Sequence, residues 1–302
     1  MLSSAAPVFS QPLVVASFYR FAALTDRSRH QRTLRTIAAE AGVRGTILLA
    51  SEGVNGSLCG PAAGVDVVLA ALRQLPGLEG LAARFSPTPH QAFHRLKVRL
   101  RSEIVTLGNP GLRPYLEAPV GTLVPTGQWD ALIEDPHTLV IDTRNHYEVA
   151  IGRFAGAIDP GTSSFRDFPS WAEQRLRPLV ERRRPQALAL YCTGGIRCEK
   201  ATAWLRQQGF GGVHHLQGGI LSYLAERPAL GSRWQGECYV FDGRVALGHG
   251  LERGEHRLCH ACGLPLSAAD RTRPAYVAGV SCHHCLDHYS ETDRARFAER
   301  QR

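Results

Sequence analysis

The stretch of sequence that decides the fold runs from residue 187 to residue 205 and reads ALALYCTGGIRCEKATAWL. Its first five residues, 187–191, form an uninterrupted apolar run, which is typical of a buried strand in a parallel sheet. Residues 199–205 have the composition of a helix. The short loop between them begins with Cys192. This order of strand, loop and helix predicts an α/β domain with Cys192 at the carboxyl end of a strand, where such sheets bind their ligands.

The connecting segment is suited to hold an ionised sulfur. It consists of Cys192, Thr193, Gly194, Gly195, Ile196, Arg197 and Cys198. The two glycines allow the backbone to curl tightly, so that N–H groups and the positive end of the next helix converge on the Cys192 sulfur. Arg197 adds a fixed cation. Such surroundings lower a thiol pKa from about 8.5 to between about 3.5 and 7.5. We therefore predict that Cys192 carries a thiolate or a persulfide and that Arg197 assists it.

A different pattern precedes this domain. The predicted elements follow the order βαββαβ, the split-βαβ arrangement of ferredoxin-like domains. They are the strand Val14–Phe18, the helix Ser28–Ala41, the strand Gly45–Ala50, a turn at 52–56, the strand Ser57–Cys59, the helix Pro61–Leu75 and the strand Phe93–Arg101. We predict a ferredoxin-like N-terminal domain at residues 13–108. The Pro- and Gly-rich residues 109–126 are predicted to form a linker.

Helices and strands alternate in the central part of the chain, which predicts a mainly parallel sheet. The elements are the helix Gln128–Glu134, the strand Thr138–Asp142, the helix Trp171–Arg183, the stretch quoted above and the strand Val213–Leu216. We place this α/β domain at residues 127–230. The remaining residues, 231–302, are rich in Cys and His and form a third, cysteine-rich module, with a hairpin predicted at Asp242-Gly243. The fold class is therefore α/β and α+β, in several domains.

The strand Phe93–Arg101 alternates apolar and basic side chains. Period-two alternation directs Leu96, Val98 and Leu100 to the core. The opposite face carries Arg95, Lys97, Arg99 and Arg101. These four residues form either a solvated outer face or a track for an RNA backbone. The net charge of +8 suits a polyanionic partner, but only two of the 35 basic residues are lysine, a bias that genomic base composition also explains.

Four of the eight cysteines lie in two Cys-x-x-Cys pairs near the C-terminus. The pairs are Cys259 with Cys262 and Cys282 with Cys285. Their separation is close to that of a four-thiolate zinc site, so a structural zinc is one interpretation. The other is a redox role, as two dithiols or as free thiols. Cys59 and Cys238 have no such pattern, and we expect them to be inert buried thiols.

The composition also bears on location. No apolar run approaches the roughly 18 residues that span a bilayer. The first nineteen residues contain no Lys or Arg, so neither a secretory signal nor an Arg-rich transit peptide is expected. A cytoplasmic protein without a membrane partner is predicted.

The central domain resembles a rhodanese. The resemblance rests on the Cys-x-x-Gly-x-Arg pattern at 192–197, on Asp142-Thr143-Arg144, on Glu148 and on Gly156-Ala157. In rhodaneses the first loop cysteine carries a persulfide, which implies that role for Cys192. Cys198 matches the small hydroxyl residue that often ends the loop. Asp142 and Arg144 are candidate supporting residues.

Further segments resemble one subfamily, the rhodanese-like tRNA uridine hydroxylases. They are EGVNG at 52–56, EIVTLG at 103–108, IGRF at 151–154, FRDFP at 165–169, YCTGGIRCEK at 191–200 and GECYVFD at 236–242. Arg153 stands where a general rhodanese often has histidine, which fits the subfamily. The resemblance implies hydroxylation of the wobble uridine of tRNA to 5-hydroxyuridine, with molecular oxygen as co-substrate. The implied partner is the anticodon stem-loop of tRNA and not DNA, and the sequence contains no flavin, haem or nucleotide motif.

Two other functions are compatible with these residues. The loop alone would permit a sulfurtransferase that moves sulfur through a Cys192 persulfide. A non-catalytic RNA-binding adaptor would use the ferredoxin-like domain and the cysteine-rich module. For the hydroxylase, Cys192 is either a nucleophile that adds to C6 of uracil or the carrier of a persulfide or sulfenic acid, with Cys198 or Cys238 as the resolving thiol.

Overall fold

A computed structural model of the chain describes residues 12–114, 116 and 119–301. The described residues divide into two compact units. Unit 1 comprises those of Met1–Gly121 together with Glu199–Phe210, and unit 2 those of Thr122–Cys198 together with Gly211–Arg302.

Unit 1 contains a ferredoxin-like sheet with two helices on one face. Its elements are β1 (Leu13–Phe21), α1 (Arg27–Glu40), β2 (Arg44–Ala50), β3 (Gly53–Pro61), α2 (Ala62–Arg73), β4 (Ala83–Thr88) and β5 (Leu96–Leu100). Among the described residues the strand order is β4-β1-β3-β2-β5, in which β2 and β5 run parallel and the other neighbours antiparallel. The predicted ferredoxin-like fold is confirmed.

Apolar side chains from the sheet and from both helices form the core of unit 1. Helix α2 carries Val65, Val68, Leu69 and Leu72 at a spacing that places them on one buried face. They pack with strand residues, among them Phe18, Ile47, Leu49, Val54, Leu58 and Val98. Burial of this stripe explains why the helix lies on the sheet.

The sequence-based prediction was wrong at two strands of this sheet. Strand β4 was not predicted, because its sequence ARFSPT contains Pro87 and lacks alternation; it pairs only with β1 among the described strands, where a proline is tolerated. Strand β3 begins at Gly53, not at Ser57, so the predicted turn at 52–56 is mostly strand. Gly56 is required there because a Cβ would lie 2.5 Å from the Phe18 ring.

Unit 2 contains a parallel sheet flanked by helices. Its elements up to residue 226 are β6 (Thr122–Val124), α3 (Thr126–Glu134), β7 (Thr138–Asp142), α4 (His146–Val149), β8 (Gly152–Phe154), α5 (Phe168–Trp171), α6 (Arg177–Arg183), β9 (Ala187–Tyr191), α7 (Ile196–Gln207), β10 (Val213–Leu216) and α8 (Gly219–Glu226). Residues of α7 from Glu199 onward belong to unit 1. The strand order is β6-β10-β9-β7 within the described residues, all parallel. The predicted parallel α/β sheet is confirmed.

Two features of this sheet region differ from the expectation. Strand β6 lies inside the segment predicted as a linker and pairs with β10. The predicted helix Trp171–Arg183 begins earlier, at Phe168, and is interrupted by a π-helical turn at Ala172–Leu176 before α6. Short β6 lacked a periodic signal, and a π turn leaves no mark in the sequence pattern.

The cysteine-rich part consists of short strands and one helix. They are β11 (Trp234–Gly236), β12 (Cys238–Tyr239), β13 (Ala246–Leu247), β14 (Arg257–Leu258), β15 (Pro265–Leu266) and α9 (Glu291–Glu299). Strand β11 pairs with β8, β12 with β13 and β14 with β15, all antiparallel. The β12–β13 pair is the hairpin predicted at Asp242-Gly243. None of the described helices is long and apolar enough to cross a membrane.

Candidate active site and metal centre

Cys192 is the first residue after β9, at the carboxyl end of the strand. The connecting loop ends at Gly195, since Ile196, Arg197 and Cys198 already form the first turn of α7. The Gly195 N–H donates a hydrogen bond to the Cys192 Sγ at 3.1 Å, and Gly195 has a φ of 102°, a conformation that favours glycine. The Cys192 side chain is fully buried. The sulfur therefore lies at the N-terminus of a helix, as the sequence predicted.

The surroundings of Cys192 favour the thiolate. Burial opposes ionisation, but hydrogen bonds from the Cys198 thiol, the charge of Arg197 and the backbone N–H groups of Cys198 and Gly195 outweigh it and lower the Cys192 pKa to about 6. Burial and the neighbouring Cys192 raise the pKa of Cys198 well above its usual value. Cys198 Sγ also lies 3.6 Å from Thr143 Oγ1. At neutral pH Cys192 is thus the ionised member of the pair, and Cys198 is the hydrogen-bond donor.

Glu148 is a site residue that the sequence-based site did not include. Both guanidinium nitrogens of Arg197 donate to it, Nη1 to Oε1 and Nη2 to Oε2, each at 2.7 Å. Arg197 Nη2 also lies 3.3 Å from the hydroxyl of Thr193. Burial opposes ionisation of Glu148, but Arg197 outweighs it and holds the Glu148 pKa below its usual value. Arg197 therefore supplies its charge from a fixed position; the signal that pointed to Glu148 was its place in the rhodanese pattern.

Asp142 and Arg144 form a second buried ion pair. Arg144 Nη2 lies 2.7 Å from Asp142 Oδ2, and both side chains are fully buried. The same guanidinium donates to the carbonyls of Gly152 at 2.6 Å and Glu148 at 3.2 Å, and it lies 5.2 Å from the centre of the Trp234 ring. Arg144 thus joins β7, α4 and β8. Through its bond to the Glu148 carbonyl, Arg144 contacts the backbone of the residue that binds Arg197. The supporting role of Asp142 and Arg144 stays a prediction.

Gly219, the first residue of α8, packs against the backbone of the Cys192 loop. Gly219 has a φ of 68°, and a Cβ at this position would lie 2.5 Å from the Cys192 carbonyl oxygen and 2.7 Å from that of Thr193. The N–H groups of Ile220 and Leu221 donate to the same two carbonyls at 2.9 Å and 3.0 Å. Close approach of α8 is possible only without a side chain at Gly219.

A buried ion cluster lies within unit 1. Lys200 Nζ is 2.7 Å from Glu52 Oε2 and 2.6 Å from Glu103 Oε2, and all three side chains are buried. Burial raises the pKa of Glu52, although Lys200 acts in the opposite direction. The three residues come from the segments EGVNG, EIVTLG and YCTGGIRCEK, so the cluster brings together three segments that lie far apart in the chain.

The four C-terminal cysteines converge. Their Sγ atoms all lie within 4.8 Å of one another. Cys259 and Cys285 are 4.0 Å apart, Cys262 and Cys282 3.8 Å, and Cys282 and Cys285 3.6 Å. Four thiolates bound tetrahedrally at about 2.3 Å from zinc are about 3.8 Å apart, so the arrangement fits this ion. These separations are far longer than the roughly 2.05 Å of a disulfide.

The basic residues in and beside β5 are exposed. The strand spans Leu96–Leu100, so it is shorter than the predicted Phe93–Arg101, and Arg95 and Arg101 flank it. Arg95, Lys97, Arg99 and Arg101 are all solvent-accessible, whereas Val98 is in the core and Leu96 and Leu100 pack against it. Strand β5 lies at the edge of the described sheet. Its Val98 carbonyl accepts a hydrogen bond from Gln31 Nε2 at 2.8 Å, which protects part of the edge from pairing.

A parallel sheet with a buried, ionised cysteine at the N-terminus of α7 defines a rhodanese-like domain. The family model described as "Rhodanese-like domain" matches residues 126–226. The model described as "UPF0176 acylphosphatase like domain" matches residues 13–104. Among solved structures, the rhodanese-like domain of an Anabaena sp. protein is similar over 38% of this chain and 78% of its own, with 19% identity and a TM-score of 0.29.

Nearly the whole chain matches curated relatives. A protein of Parasynechococcus marenigrum named tRNA uridine(34) hydroxylase is 54% identical over 96% of this chain and 92% of its own length. A protein of the same name from Mesorhizobium japonicum is 50% identical over 97% of this chain and 93% of its own. The chain belongs to the tRNA uridine(34) hydroxylase family. The family expected from the sequence is therefore confirmed.

Proposed function

We propose that this protein is an enzyme that hydroxylates uridine 34, the wobble position of tRNA, to 5-hydroxyuridine, and that Cys192 is its reactive group. The observation that carries the proposal is the position of the Cys192 sulfur, which is buried and accepts a hydrogen bond from the Gly195 N–H at the N-terminus of α7, in a chain of this family. Molecular oxygen is the proposed co-substrate. The proposed partner is the anticodon stem-loop, and the proposed compartment is the cytoplasm, where tRNA is available.

In the proposed mechanism Cys192 acts as a nucleophile. Its thiolate adds to C6 of uracil, and the C5–C6 π pair moves onto C5 and O4, which makes C5 nucleophilic. C5 attacks O₂, and two electrons and two protons from a thiol reductant convert the resulting hydroperoxide into a C5 hydroxyl and water. Loss of the C5 proton then expels the Cys192 thiolate from C6. The sum is uridine, O₂, two electrons and two protons giving 5-hydroxyuridine and water.

The neighbours of Cys192 have defined parts in this scheme. The Cys198 thiol and the Gly195 N–H hold the thiolate before attack and receive it again when it leaves C6. Arg197 stabilises the negative charge, and Glu148 fixes Arg197. Because Cys192 is buried, the uracil reaches it only after leaving its stack and displacing covering groups. Unstacking costs less in a single-stranded loop than in a duplex.

We also propose that Arg95, Lys97, Arg99 and Arg101 contact the RNA backbone. Four exposed cations, two in β5 and two directly flanking it, provide sequence-independent affinity for phosphates. Replacement of Lys97 and Arg99 by Gln should weaken tRNA binding. It should also reduce the slope of log K against log salt concentration by about two, since about two fewer counterions are released. If binding and its salt slope are unchanged, the strand is only a solvated face.

A persulfide is the second candidate state of Cys192, since the N–H groups that hold a thiolate also hold a persulfide anion. In that case the enzyme would transfer sulfur to a thiol acceptor. Turnover of thiosulfate with cyanide, together with unchanged tRNA hydroxyuridine in cells lacking the protein, would favour this alternative.

The proposed function is tested by nucleoside mass spectrometry of tRNA from cells that lack this protein. Complementation with the wild-type gene should restore 5-hydroxyuridine, and Cys192→Ala should not. Cys59→Ala is the matched control, because Cys59 is also fully buried but lies in unit 1, in a small apolar cluster with Leu13, Val15 and Ala92. Failure of the wild-type gene to restore 5-hydroxyuridine would contradict the proposal. Absence of a Cys192 adduct with 5-fluorouridine tRNA would contradict attack at C6.

We further propose that Cys259, Cys262, Cys282 and Cys285 bind one structural zinc ion. With four protein thiolates the coordination is complete, and zinc has no redox chemistry, so the ion would stabilise the module and take no part in oxygen activation.

A further inference from the structure

Three aromatic side chains form a continuous row in unit 2. The rings of Tyr147 and Tyr239 pack edge to face with centres 5.3 Å apart and an interplanar angle of 86°. Those of Tyr239 and Phe241 do the same at 5.1 Å and 83°. Tyr239 is buried between its neighbours, whereas Phe241 is 61% exposed. The row therefore ends in an open phenyl ring.

The partly buried end of the row, Tyr147, adjoins the Cys192 loop through Glu148. Tyr147 directly precedes Glu148, the carboxylate that holds Arg197. Burial raises the pKa of the Tyr147 hydroxyl, and Glu148 adds to this effect while Arg197 opposes it, as expected for groups close to one another. Burial likewise raises the pKa of Tyr239 to about 12, with contributions from Tyr147 and Glu148. The row thus leads from the reactive loop to the surface.

Several hydrogen bonds hold the turn that presents Phe241. Val245 has a φ of 69°, which is unfavourable for a β-branched residue. The conformation is enforced because Val240 N–H donates to the Val245 carbonyl at 2.9 Å and Val245 N–H donates to the Asp242 carbonyl at 3.0 Å. The Arg244 guanidinium also donates two hydrogen bonds to the Asp242 carboxylate, at 2.9 Å and 2.7 Å. A strained, over-determined turn at the surface is typical of a functional contact.

We infer that Phe241, supported from behind by Tyr239 and Tyr147, provides the stacking surface for a nucleobase of the single-stranded anticodon loop, next to the uridine that enters the site. The inference rests on the proposed function. Unpaired bases bind proteins by stacking on aromatic rings, and a base adjacent to an extruded nucleotide loses a stacking partner. An exposed ring that packs on Tyr239 and is presented by a hydrogen-bonded turn can replace that partner.

The test measures binding without chemistry. An anticodon stem-loop RNA with 2-aminopurine on the 3′ side of uridine 34 is titrated with the full chain carrying Cys192→Ala. We expect a change of 2-aminopurine fluorescence on binding. Phe241→Leu, added to this background, should raise the Kd by about 5- to 150-fold and abolish the fluorescence change. Phe241→Trp should retain both. Phe85→Leu, which removes another exposed phenyl ring, is the matched control and should leave both unchanged.

Activity separates this inference from the proposed function. With Cys192 present, Phe241→Leu should raise KM for tRNA and leave kcat within about twofold. If the wild-type chain binds and hydroxylates tRNA while Phe241→Leu leaves Kd and fluorescence unchanged, the platform is wrong and the proposed function stands. If Phe241→Leu weakens binding but Cys192→Ala still hydroxylates, the platform stands and the role of Cys192 falls. No binding by the wild-type chain overturns both.

Discussion

Glu148 and Arg197 are joined by two parallel hydrogen bonds of 2.7 Å, and their side chains are 0% and 9% exposed. Bidentate pairs of this kind fix orientation as well as charge. Glu148 lies on α4, and Arg197 lies in the first turn of α7, next to the end of the Cys192 loop. The pair therefore ties the loop to a second element and determines where the positive charge is located.

Loss of this pair should destabilise the protein. Glu148→Gln keeps the shape of the side chain but leaves the Arg197 charge buried and uncompensated, which costs about 3–5 kcal/mol in the free energy of unfolding. Urea unfolding at neutral pH measures the change. Glu173→Gln is the control, because it breaks an exposed pair with Arg177 and should have little effect. If both substitutions change the free energy of unfolding equally, the buried pair does not stabilise the fold more than an exposed pair does.

Cys198 should set the pKa of Cys192. Removal of its S–H donor in Cys198→Ala is expected to raise the Cys192 pKa above its value of about 6. Thiolate absorbance and kcat/KM both increase with pH as Cys192 ionises, and in the variant both increases should occur at higher pH. Cys198→Ser keeps a donor and should shift it less. The ultraviolet difference spectrum against a Cys192→Ala reference measures the titration. An unchanged titration in Cys198→Ala would mean that Gly195 and Arg197 alone hold the thiolate.

Gly219→Ala should displace the Cys192 loop. The new methyl group would lie 2.5 Å from the Cys192 carbonyl oxygen, so the backbone must move, and misplacement of a reactive group by about 1 Å costs about 100-fold in rate. Gly161→Ala isolates the conformational cost, because Gly161 has nearly the same φ, 67°, with nothing within 4 Å of the new methyl. That control should lose roughly 1–2 kcal/mol of stability and retain activity. A fully active Gly219→Ala enzyme would refute the close-packing argument.

His215 should make the protein sensitive to mild acid. Neither ring nitrogen has a hydrogen-bond partner among the described residues, and burial, with a smaller effect of His214, lowers the His215 pKa from 6.5 to about 4. Between these values the unfolded chain binds a proton that the native state does not, so stability falls as the pH decreases through this window. The loss reaches about 3 kcal/mol at its acid end.

His215→Leu tests this linkage. The variant should lose less stability between neutral pH and pH 4 than the wild type, as measured by urea unfolding at several pH values. His214→Leu is the control on the same strand, where the side chain is only partly buried and a smaller change is expected. If wild type and His215→Leu have parallel pH profiles, His215 is protonated or bridged in the native state.

The proposed zinc site predicts one zinc ion per chain. Elemental analysis of the purified protein should find this zinc ion. The Cys262→Ser variant should contain no zinc and should have a lower Tm, and a chelator should lower the Tm of the wild type in the same way. Cys59→Ser, a buried thiol outside the cluster, should retain the metal. A zinc-free, stable wild-type protein whose four thiols form disulfides on oxidation would favour the redox interpretation.

Two kinds of error in the sequence-based fold have physical causes. Strand β4 was missed because its hydrogen bonds to β1, and not its own side-chain pattern, hold it in the sheet. The turn predicted at 52–56 is mostly strand, because its glycines allow neighbours such as Phe18 to approach the backbone closely. Glycine signals freedom of the backbone, and only the tertiary structure decides whether that freedom is used for a turn or for close packing.

The sequence by itself determined the ferredoxin-like and rhodanese-like folds and the place of Cys192 between a strand and a helix. It also singled out the four C-terminal cysteines as candidate metal ligands. Those properties follow from local pattern: apolar runs, a Gly-rich loop before a helix, and Cys-x-x-Cys spacing. The partner of Arg197, the cluster of Lys200 with Glu52 and Glu103, and the row from Tyr147 to Phe241 were decided by the tertiary structure. They join residues that lie far apart in the chain, and side-chain charge or aromaticity alone does not specify which distant partner burial will bring into contact.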